Sequence, residues 1–180
     1  MLLVAVVLLV CLTKLAAGKV FTNREEALKR AFPAARNIAR LDVFLSDEDA
    51  LQIEKIAGRK PEGKLFTFYR AEGPEGIIGY ALIRARILRT MPAVIMLVIR
   101  PDGQIGKVEL LANHEPETHV PGSTWFERFA GRVLDDRLWP SRDIPVVSGA
   151  TISVTAISQE VRLGLAVFGH AVAGKGSLSE

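Results

Sequence analysis

The segment from residue 65 to residue 111 constrains the fold most strongly, because it predicts β-strands that follow one another with only short turns between them. Four stretches rich in apolar, aromatic or β-branched residues have the length of strands: residues 65–69, 77–88, 93–99 and 105–111. Residues 101–104 read PDGQ, which is typical of a hairpin turn. Strands joined by such turns pair antiparallel. The sequence therefore predicts an antiparallel meander.

Helical patterns precede this meander. Thr22 and Glu25 have the spacing of a capping box, which predicts a helix beginning at Thr22. Ser46 begins a second helical pattern, and Gly58 is the expected end of that helix. Both helices fall within residues 22–58.

Two further helical patterns follow the meander. Ser123 is the expected cap of a short aromatic helix, which Gly131 ends. Residues 151–168 form the longest helical pattern of the chain, and Gly169 is its expected C-cap. These patterns predict an α+β fold, in which an antiparallel sheet packs against helices and a long helix comes last.

The N-terminal residues 1–18 predict a signal peptide or a membrane anchor. Residues 2–12 are apolar throughout. That length suits the core of a secretory signal but falls short of the roughly 20 residues of a membrane-spanning helix. Small residues follow at Ala16, Ala17 and Gly18, as at a signal cleavage site. Export with cleavage near Gly18 and a retained anchor both remain open, and either predicts an extracytoplasmic location.

The remainder of the 180-residue chain has the length of one domain. We expect a single α+β domain over residues 19–170, with N-terminal helices within residues 22–58 and a core over residues 65–168. Residues 171–180 are small and polar, and we expect them to form a flexible tail.

Composition excludes several classes of function. The formal net charge is only +3, without a basic run or interleaved basic and aromatic residues, so nucleic acid is not an expected partner. Cys11 is the only cysteine, which excludes a disulfide framework and a Cys-ligated metal site. His114 and His119 lack the i, i+4 spacing of a helical zinc site, and Pro116 lies between them. We therefore expect no metal.

The turn before the long helix is the strongest candidate for a binding site. Ser148, Gly149, Ala150 and Thr151 lead into the helix, and Ser153 places a further hydroxyl on its first turn. A helix N-terminus presents unpaired N–H donors and the positive end of the helix dipole, which suit a phosphate group. Gly149 permits a positive φ or a close backbone approach. The same residue types are also common helix caps, so a phosphate-binding turn and a plain cap are both open at this point.

The sequence SGATIS at residues 148–153 resembles the signature of the FMN-binding domain family. This family includes the small periplasmic subunits of the sodium-translocating NADH:quinone reductase and of the Rnf electron-transport complex. Further motifs occur in a similar order: DGQI at residues 102–105, ETHVPG at 117–122 and an aromatic helix over 125–129. The resemblance covers roughly residues 65–168.

The resemblance implies that Thr151 forms a phosphoester with FMN, made by a flavin transferase that takes FMN from FAD. It also implies that Ser148 and Ser153, with backbone N–H groups of the turn at Gly149 and Ala150, bind the phosphate oxygens. The isoalloxazine ring carries one or two electrons, while the protein supplies position and electrostatics.

The resemblance extends to the surroundings of the flavin. Glu117 and Thr118 lie in the loop that matches the family and are expected to line the pocket. Trp125 and Phe126 are candidates to flank the ring, with packing in the core as the alternative. The implied function is that of an electron carrier. Its electron partner would be a membrane redox complex, a haem protein or a quinone-linked module.

Two departures from the family pattern keep other functions open. The family usually has an acidic residue three positions before the serine, where this chain has Pro145, with Asp143 two positions further back. The compact ETPG of the family is extended to ETHVPG here. One alternative is a module that binds FMN or another phosphate ligand without a covalent bond. Another is a structural domain in which residues 148–151 only cap a helix.

Overall fold

The computed structural model describes residues 19–20 and 23–173. The predicted signal or anchor at residues 1–18, and most of the predicted tail, lie outside the described residues. Within the described part of the chain, none of the helices combines the length and the apolar character needed to cross a membrane.

Six strands form one sheet in which each neighbouring pair is antiparallel. In chain order they are β1 (Lys19–Val20), β2 (Asn37–Phe44), β3 (Leu65–Gly73), β4 (Gly76–Ile87), β5 (Pro92–Ile99) and β6 (Ile105–Asn113). Their order across the sheet is β1-β6-β5-β4-β3-β2. Strands β3 to β6 are consecutive neighbours, which confirms the antiparallel meander and the α+β class.

Helices cover both faces of this sheet. In chain order they are α1 (Arg24–Ala31), α2 (Asp47–Ala57), α3 (Ser123–Phe126) and α4 (Thr151–Val167), with a 3₁₀ turn at Glu127–Phe129 directly after α3. Helix α1 packs on one face, where Leu28 is buried beside Phe32. Helices α2 and α4 pack on the other face, where Ile53 and Ile157 belong to the larger core.

The two N-terminal helices begin with side-chain caps. Ser46 Oγ accepts from the Asp49 N–H at 3.0 Å, and the Asp49 carboxylate accepts from the Ser46 N–H at 2.8 Å, so α2 has the capping box of its sequence. Gly58 ends α2 with a φ of +74°. The cap of α1 is Asn23, whose Oδ1 accepts from the Glu26 N–H at 2.9 Å. It lies one residue after the predicted cap, because Asn23 also has a short side-chain acceptor.

The two C-terminal helices differ from the prediction at their ends. Ser123 is the first residue of α3 and not its cap, since Gly122 holds that position without a side-chain hydrogen bond. Gly169 does not end α4, because the chain continues as a π-helical turn over Phe168–Ala173. Ala171 is buried against the larger core, and this packing keeps the chain helical past the glycine.

Strand β2 is an edge strand that the sequence pattern does not predict. It pairs along its whole length with β3, from Asn37 opposite Glu72 to Phe44 opposite Leu65. Val43 is the only buried residue of β2. Its position at the edge of the sheet leaves most of its side chains accessible, so the alternation of apolar and polar residues that marks a strand is weak.

Helix α4 lies close to β4 and β5, and this contact places the candidate turn. A Cβ on Gly164 would lie 2.7 Å from Cδ2 of Leu97, so a larger residue there would require the leucine side chain to shift. An ion pair joins Arg84 Nε to Glu160 Oε1 at 2.5 Å. These contacts hold Thr151, the first residue of α4, near the end of the sheet where β4 leads into β5.

Candidate functional site

The chain turns sharply at Gly149 before it enters α4. Gly149 has a φ of +80°, in the left-handed region that favours glycine. The Ala150 N–H donates to Val147 O at 3.0 Å and closes the turn, while Ala150 O accepts from the Val154 N–H at 2.9 Å. Thr151 is therefore the first helical residue, and Ala150 is the N-cap.

Helix α4 has no side-chain cap. Ser148 is exposed. Thr151 Oγ1 lies 3.5 Å from Val147 O, the outer limit of a hydrogen bond. The first N–H groups of a helix need partners, and no side chain supplies one here. The hypothesis that residues 148–151 serve only as a helix cap is therefore not supported.

Ser153, on the first turn of α4, carries a buried hydroxyl without a partner. The residue is 1% exposed, and its Oγ makes no hydrogen bond. An unpaired buried hydroxyl costs about 1–3 kcal/mol, so most such groups bind something. Ser153 lines the cavity in front of the turn. Ser158 Oγ is also buried and without a partner among residues 23–173, but Ser158 does not line this cavity.

An open cavity of about 490 Å³ lies in front of this turn. It is lined by Arg89, Thr118, His119 and residues 149–153. Its volume falls within the range of about 300–1,000 Å³ typical of small-ligand sites. The 3₁₀ turn Glu117–His119 packs closely against the glycine, because a Cβ on Gly149 would lie 3.4 Å from Thr118 O.

The structure brings part of the predicted site together. Five predicted residues line this cavity: Thr118, Gly149, Ala150, Thr151 and Ser153. Ser148 does not line it, and Glu117 lines a second cavity of about 840 Å³ beside β6, together with Phe126. Trp125 is buried and lines neither cavity. Its Nε1 donates to Pro145 O at 2.8 Å, and its ring meets that of Phe126 edge-on at 5.1 Å, so it packs in the core.

Asp143, the acidic residue closest in sequence to Pro145, is engaged away from the cavity. Its carboxylate pairs with Arg132 and, at 3.0 Å, with Arg137 Nη2. Burial raises the pKa of Asp143, but the two guanidinium groups outweigh that effect and hold the pKa below its usual value. Asp143 therefore does not replace the acidic residue missing at position 145.

Two residues of the cavity, Arg89 and His119, are not predicted from the sequence as ligand-binding residues. Arg89 follows β4, and His119 belongs to the 3₁₀ turn beside Gly149. Arg89 Nη1 lies 3.1 Å from His119 Nε2. The sheet register brings these residues together across 30 positions of sequence. No local motif marks Arg89 as a ligand-binding residue, and His119 lies within ETHVPG, where only Glu117 and Thr118 are expected to line the pocket.

Glu115 holds the backbone around Arg89 in place. Its Oε1 accepts from the N–H groups of Arg89 at 3.1 Å, Thr90 at 2.5 Å and Met91 at 2.7 Å. Burial raises the pKa of Glu115, but these backbone hydrogen bonds outweigh it and lower the pKa. Asn113 Oδ1 accepts from the Glu115 N–H at 3.0 Å. A charged carboxylate thus fixes the turn between β4 and β5.

The cavity combines three kinds of group that bind phosphate oxygens. These are the uncapped N–H groups of α4, the Ser153 hydroxyl and the Arg89 guanidinium. Thr151 adds an exposed hydroxyl that can be esterified. Among residues 23–173, no cluster of three or more His, Cys, Asp or Glu side chains has the arrangement of a metal site. The residues present therefore fit a ligand that carries a phosphate group.

Comparisons with known proteins agree with this assignment. The family model of the FMN-binding domain matches residues 91–166, a range that contains Thr118 and residues 148–153. Among solved structures, NqrC of Shewanella oneidensis is similar in fold, with a TM-score of 0.57 and 14% sequence identity. That likeness covers 89% of this chain and 92% of the other. No curated protein sequence matches significantly. The resemblance to the FMN-binding domain family is therefore confirmed, and FMN is supported as the cofactor.

Proposed function

We propose that this protein, whose residues 91–166 match the FMN-binding domain, is an extracytoplasmic electron carrier that holds FMN through a phosphoester on Thr151. The observation that carries the proposal is the uncapped N-terminus of α4. There the exposed Thr151 lies beside Ser153, whose buried hydroxyl has no partner among residues 23–173, and both residues line one cavity. FMN suits this place because its phosphate fits the turn and its ring remains free to react.

The proposed bond joins Thr151 Oγ1 to the phosphorus of FMN. A flavin transferase supplies FMN from FAD: the pyrophosphate bond of FAD breaks, AMP leaves, and the proton of the Thr151 hydroxyl passes to the transferase or to water. The exposure of Thr151 lets a second protein reach the hydroxyl. The ester phosphate keeps one negative charge, which the N-terminus of α4 stabilises.

The residues of the chain bind and orient the group. When bound, FMN supplies one- and two-electron chemistry in its isoalloxazine ring. Ser153 donates a hydrogen bond to a phosphate oxygen, and the first N–H groups of α4 donate others. Thr118 closes the cavity on the side of Gly149. A covalent link prevents the loss of FMN outside the cytoplasm, where it is not readily replaced.

The proposed partners follow from the location and the chemistry. A flavin transferase acts in maturation, and a membrane redox complex, a haem protein or a quinone-linked module exchanges electrons with the flavin. The apolar stretch at residues 2–12 supports an exported or membrane-anchored protein. The motif similarity to periplasmic electron-transport subunits supports the same location.

A module that binds FMN or another phosphate ligand without a covalent bond is the second candidate. It rests on Pro145, which stands where the family usually has an acidic residue. In this case the same cavity groups bind the phosphate, while the Thr151 hydroxyl stays free.

Denaturing gel electrophoresis separates the two candidates. The full chain is produced with and without a flavin transferase, and the gel is inspected for flavin fluorescence. A fluorescent band that depends on the transferase supports the ester. A yellow native protein with a dark band supports the non-covalent module. A colourless protein with a dark band under both conditions contradicts the ester and also a non-covalent module for FMN.

A further inference from the structure

The cavity at Thr151 contains a guanidinium group that no carboxylate within residues 23–173 neutralises. The side-chain hydrogen bond of Arg89 is with His119. By contrast, Arg84 on the preceding strand pairs with Glu160, and Arg132 pairs with Asp143. Glu115 Oε1 is engaged with the backbone N–H groups of residues 89–91 and not with the guanidinium. Arg89 therefore brings a positive charge to a cavity that already has the features of a phosphate site.

Arg89 is contacted both at its backbone and at its guanidinium. Glu115 binds the backbone of Arg89, and His119 Nε2 lies 3.1 Å from its Nη1. Since a guanidinium only donates, His119 Nε2 is the acceptor in this contact. His119 thus orients the guanidinium and leaves its charge available to a ligand. A cation that is already positioned loses less conformational entropy when it binds an anion.

We infer that Arg89 binds the phosphate of FMN and makes the cavity select phosphorylated flavin over riboflavin. The inference rests on the proposed function of this cavity and adds a phosphate-binding residue from outside the SGATIS motif. A guanidinium donates paired, coplanar hydrogen bonds that match phosphate oxygens, which an uncharged side chain cannot do. Recognition of the phosphate therefore combines the N-terminus of α4 with the turn between β4 and β5.

Flavin titration of the full chain, produced without a flavin transferase so that Thr151 is unmodified, tests this inference. FMN and riboflavin differ only in the phosphate, and quenching of their fluorescence reports binding. The variant is Arg89→Gln. The control is Arg36→Gln, because Arg36 is exposed, lines none of the cavities found, and lies at the far end of β3, where its N–H binds Glu72 O.

We expect Arg89→Gln to weaken FMN binding by about tenfold or more and to leave riboflavin binding unchanged. Arg36→Gln should change neither affinity. Arg89→Lys, which keeps the charge and loses the planar fork, should lie between wild type and Arg89→Gln. The thermal unfolding midpoint of Arg89→Gln should match wild type, because Glu115 binds backbone groups that the substitution retains.

Two results would overturn the inference about Arg89. One is an Arg89→Gln variant that discriminates between FMN and riboflavin as wild type does. The other is an equal loss of both affinities, which would indicate a structural role. Failure of the proposed function gives a different result from these two. A wild-type chain that binds neither flavin and is not labelled by a transferase contradicts the proposed function together with the inference about Arg89. If labelling occurs without measurable free binding, equal labelling rates for Arg89→Gln and Arg36→Gln overturn the inference.

Discussion

At the scale of single residues, Gly149 determines the shape of the turn. Its φ of +80° lies in the left-handed region and disfavours a side chain, while a Cβ there would meet Thr118 O at an ordinary contact distance of 3.4 Å. We predict that Gly149→Ala lowers the free energy of unfolding by about 1–2 kcal/mol. Gly169→Ala is the control, because no atom lies within 4 Å of its Cβ position and its φ is not positive. In urea unfolding, the free energy of unfolding of Gly169→Ala should lie within about 0.5 kcal/mol of wild type. An equal loss of stability in Gly149→Ala and Gly169→Ala would contradict the prediction.

Ser153 offers a test in which stability and binding respond differently. Its buried hydroxyl has no partner among residues 23–173, so Ser153→Ala should leave the free energy of unfolding of the flavin-free protein unchanged or slightly higher. The same substitution should weaken FMN binding by about tenfold, because a hydrogen bond to a charged phosphate is lost. Ser158→Ala is the matched control, since Ser158 is equally buried and unpaired but lines no cavity found here. Equal FMN affinities for the two variants would refute the role of Ser153.

At the scale of elements, Arg162 of α4 joins three parts of the chain. It is buried, and its Nε and Nη2 donate to Ala57 O at 3.2 Å and Ile56 O at 3.3 Å, at the end of α2. Its Nη1 donates to Asp135 O and Leu138 O in the loop before the candidate turn. Burial lowers the pKa of Arg162. The guanidinium thus donates to carbonyl groups at the end of α2 and to Leu138 O, and it shares Asp135 O with the Leu138 N–H.

We predict that Arg162→Met lowers the free energy of unfolding by about 2–3 kcal/mol, because buried carbonyl groups lose their donors. Arg142→Met is the control. Arg142 is exposed and donates to Asp136 O. Arg142→Met should therefore change the free energy of unfolding by no more than about 0.5 kcal/mol. Denaturant unfolding of both variants measures the difference, and a mild effect at Arg162 would show that water replaces the guanidinium.

Asp49 links the start of α2 to the turn that follows α4. His170 Nε2 lies 2.6 Å from Asp49 Oδ1, and the carboxylate also accepts from the N–H and Oγ of Ser46. The hydrogen bond from His170, followed by those from Ser46, lowers the pKa of Asp49 from 3.8 to about 2. The folded state therefore favours the charged carboxylate.

This lowered pKa predicts how stability depends on pH. Such a carboxylate contributes its full stabilisation above the pKa of the unfolded state and loses it as the pH falls towards the folded-state value. The difference in the free energy of unfolding between wild type and Asp49→Asn should therefore shrink between about pH 5 and pH 2. Denaturant unfolding at several pH values measures it. A difference that stays constant over this range would contradict the role of Asp49.

At the scale of the whole molecule, local sequence patterns predict the meander β3 to β6 because apolar runs and turn residues alternate there. They do not predict β2, whose side chains are mostly accessible at the edge of the sheet. The N-cap of α1 was placed one residue too early, since Thr22 and Asn23 are both suitable caps. Gly169 was expected to end α4, but burial of the following turn overrides that local signal.

In the candidate site as well, residues that are contiguous in sequence are predicted, whereas residues brought together by the fold are not. The turn at residues 148–153 is contiguous in sequence, so its residue types indicate a phosphate site directly. Arg89 and His119 reach the cavity only through the register of the sheet and the packing of α4. By its sequence Trp125 is a candidate to flank a ligand, with packing in the core as the alternative, and its burial with Nε1 bound to Pro145 O places it in the core.

The central claim is that Thr151 carries FMN in a phosphoester. The intact mass of the denatured full chain, produced together with a flavin transferase, tests it beside Thr151→Ser and Thr151→Ala. We predict that wild type and Thr151→Ser, which both have a hydroxyl, gain the mass of FMN less one water, and that Thr151→Ala gains nothing. An unmodified wild-type chain, or the same added mass on Thr151→Ala, would contradict the claim.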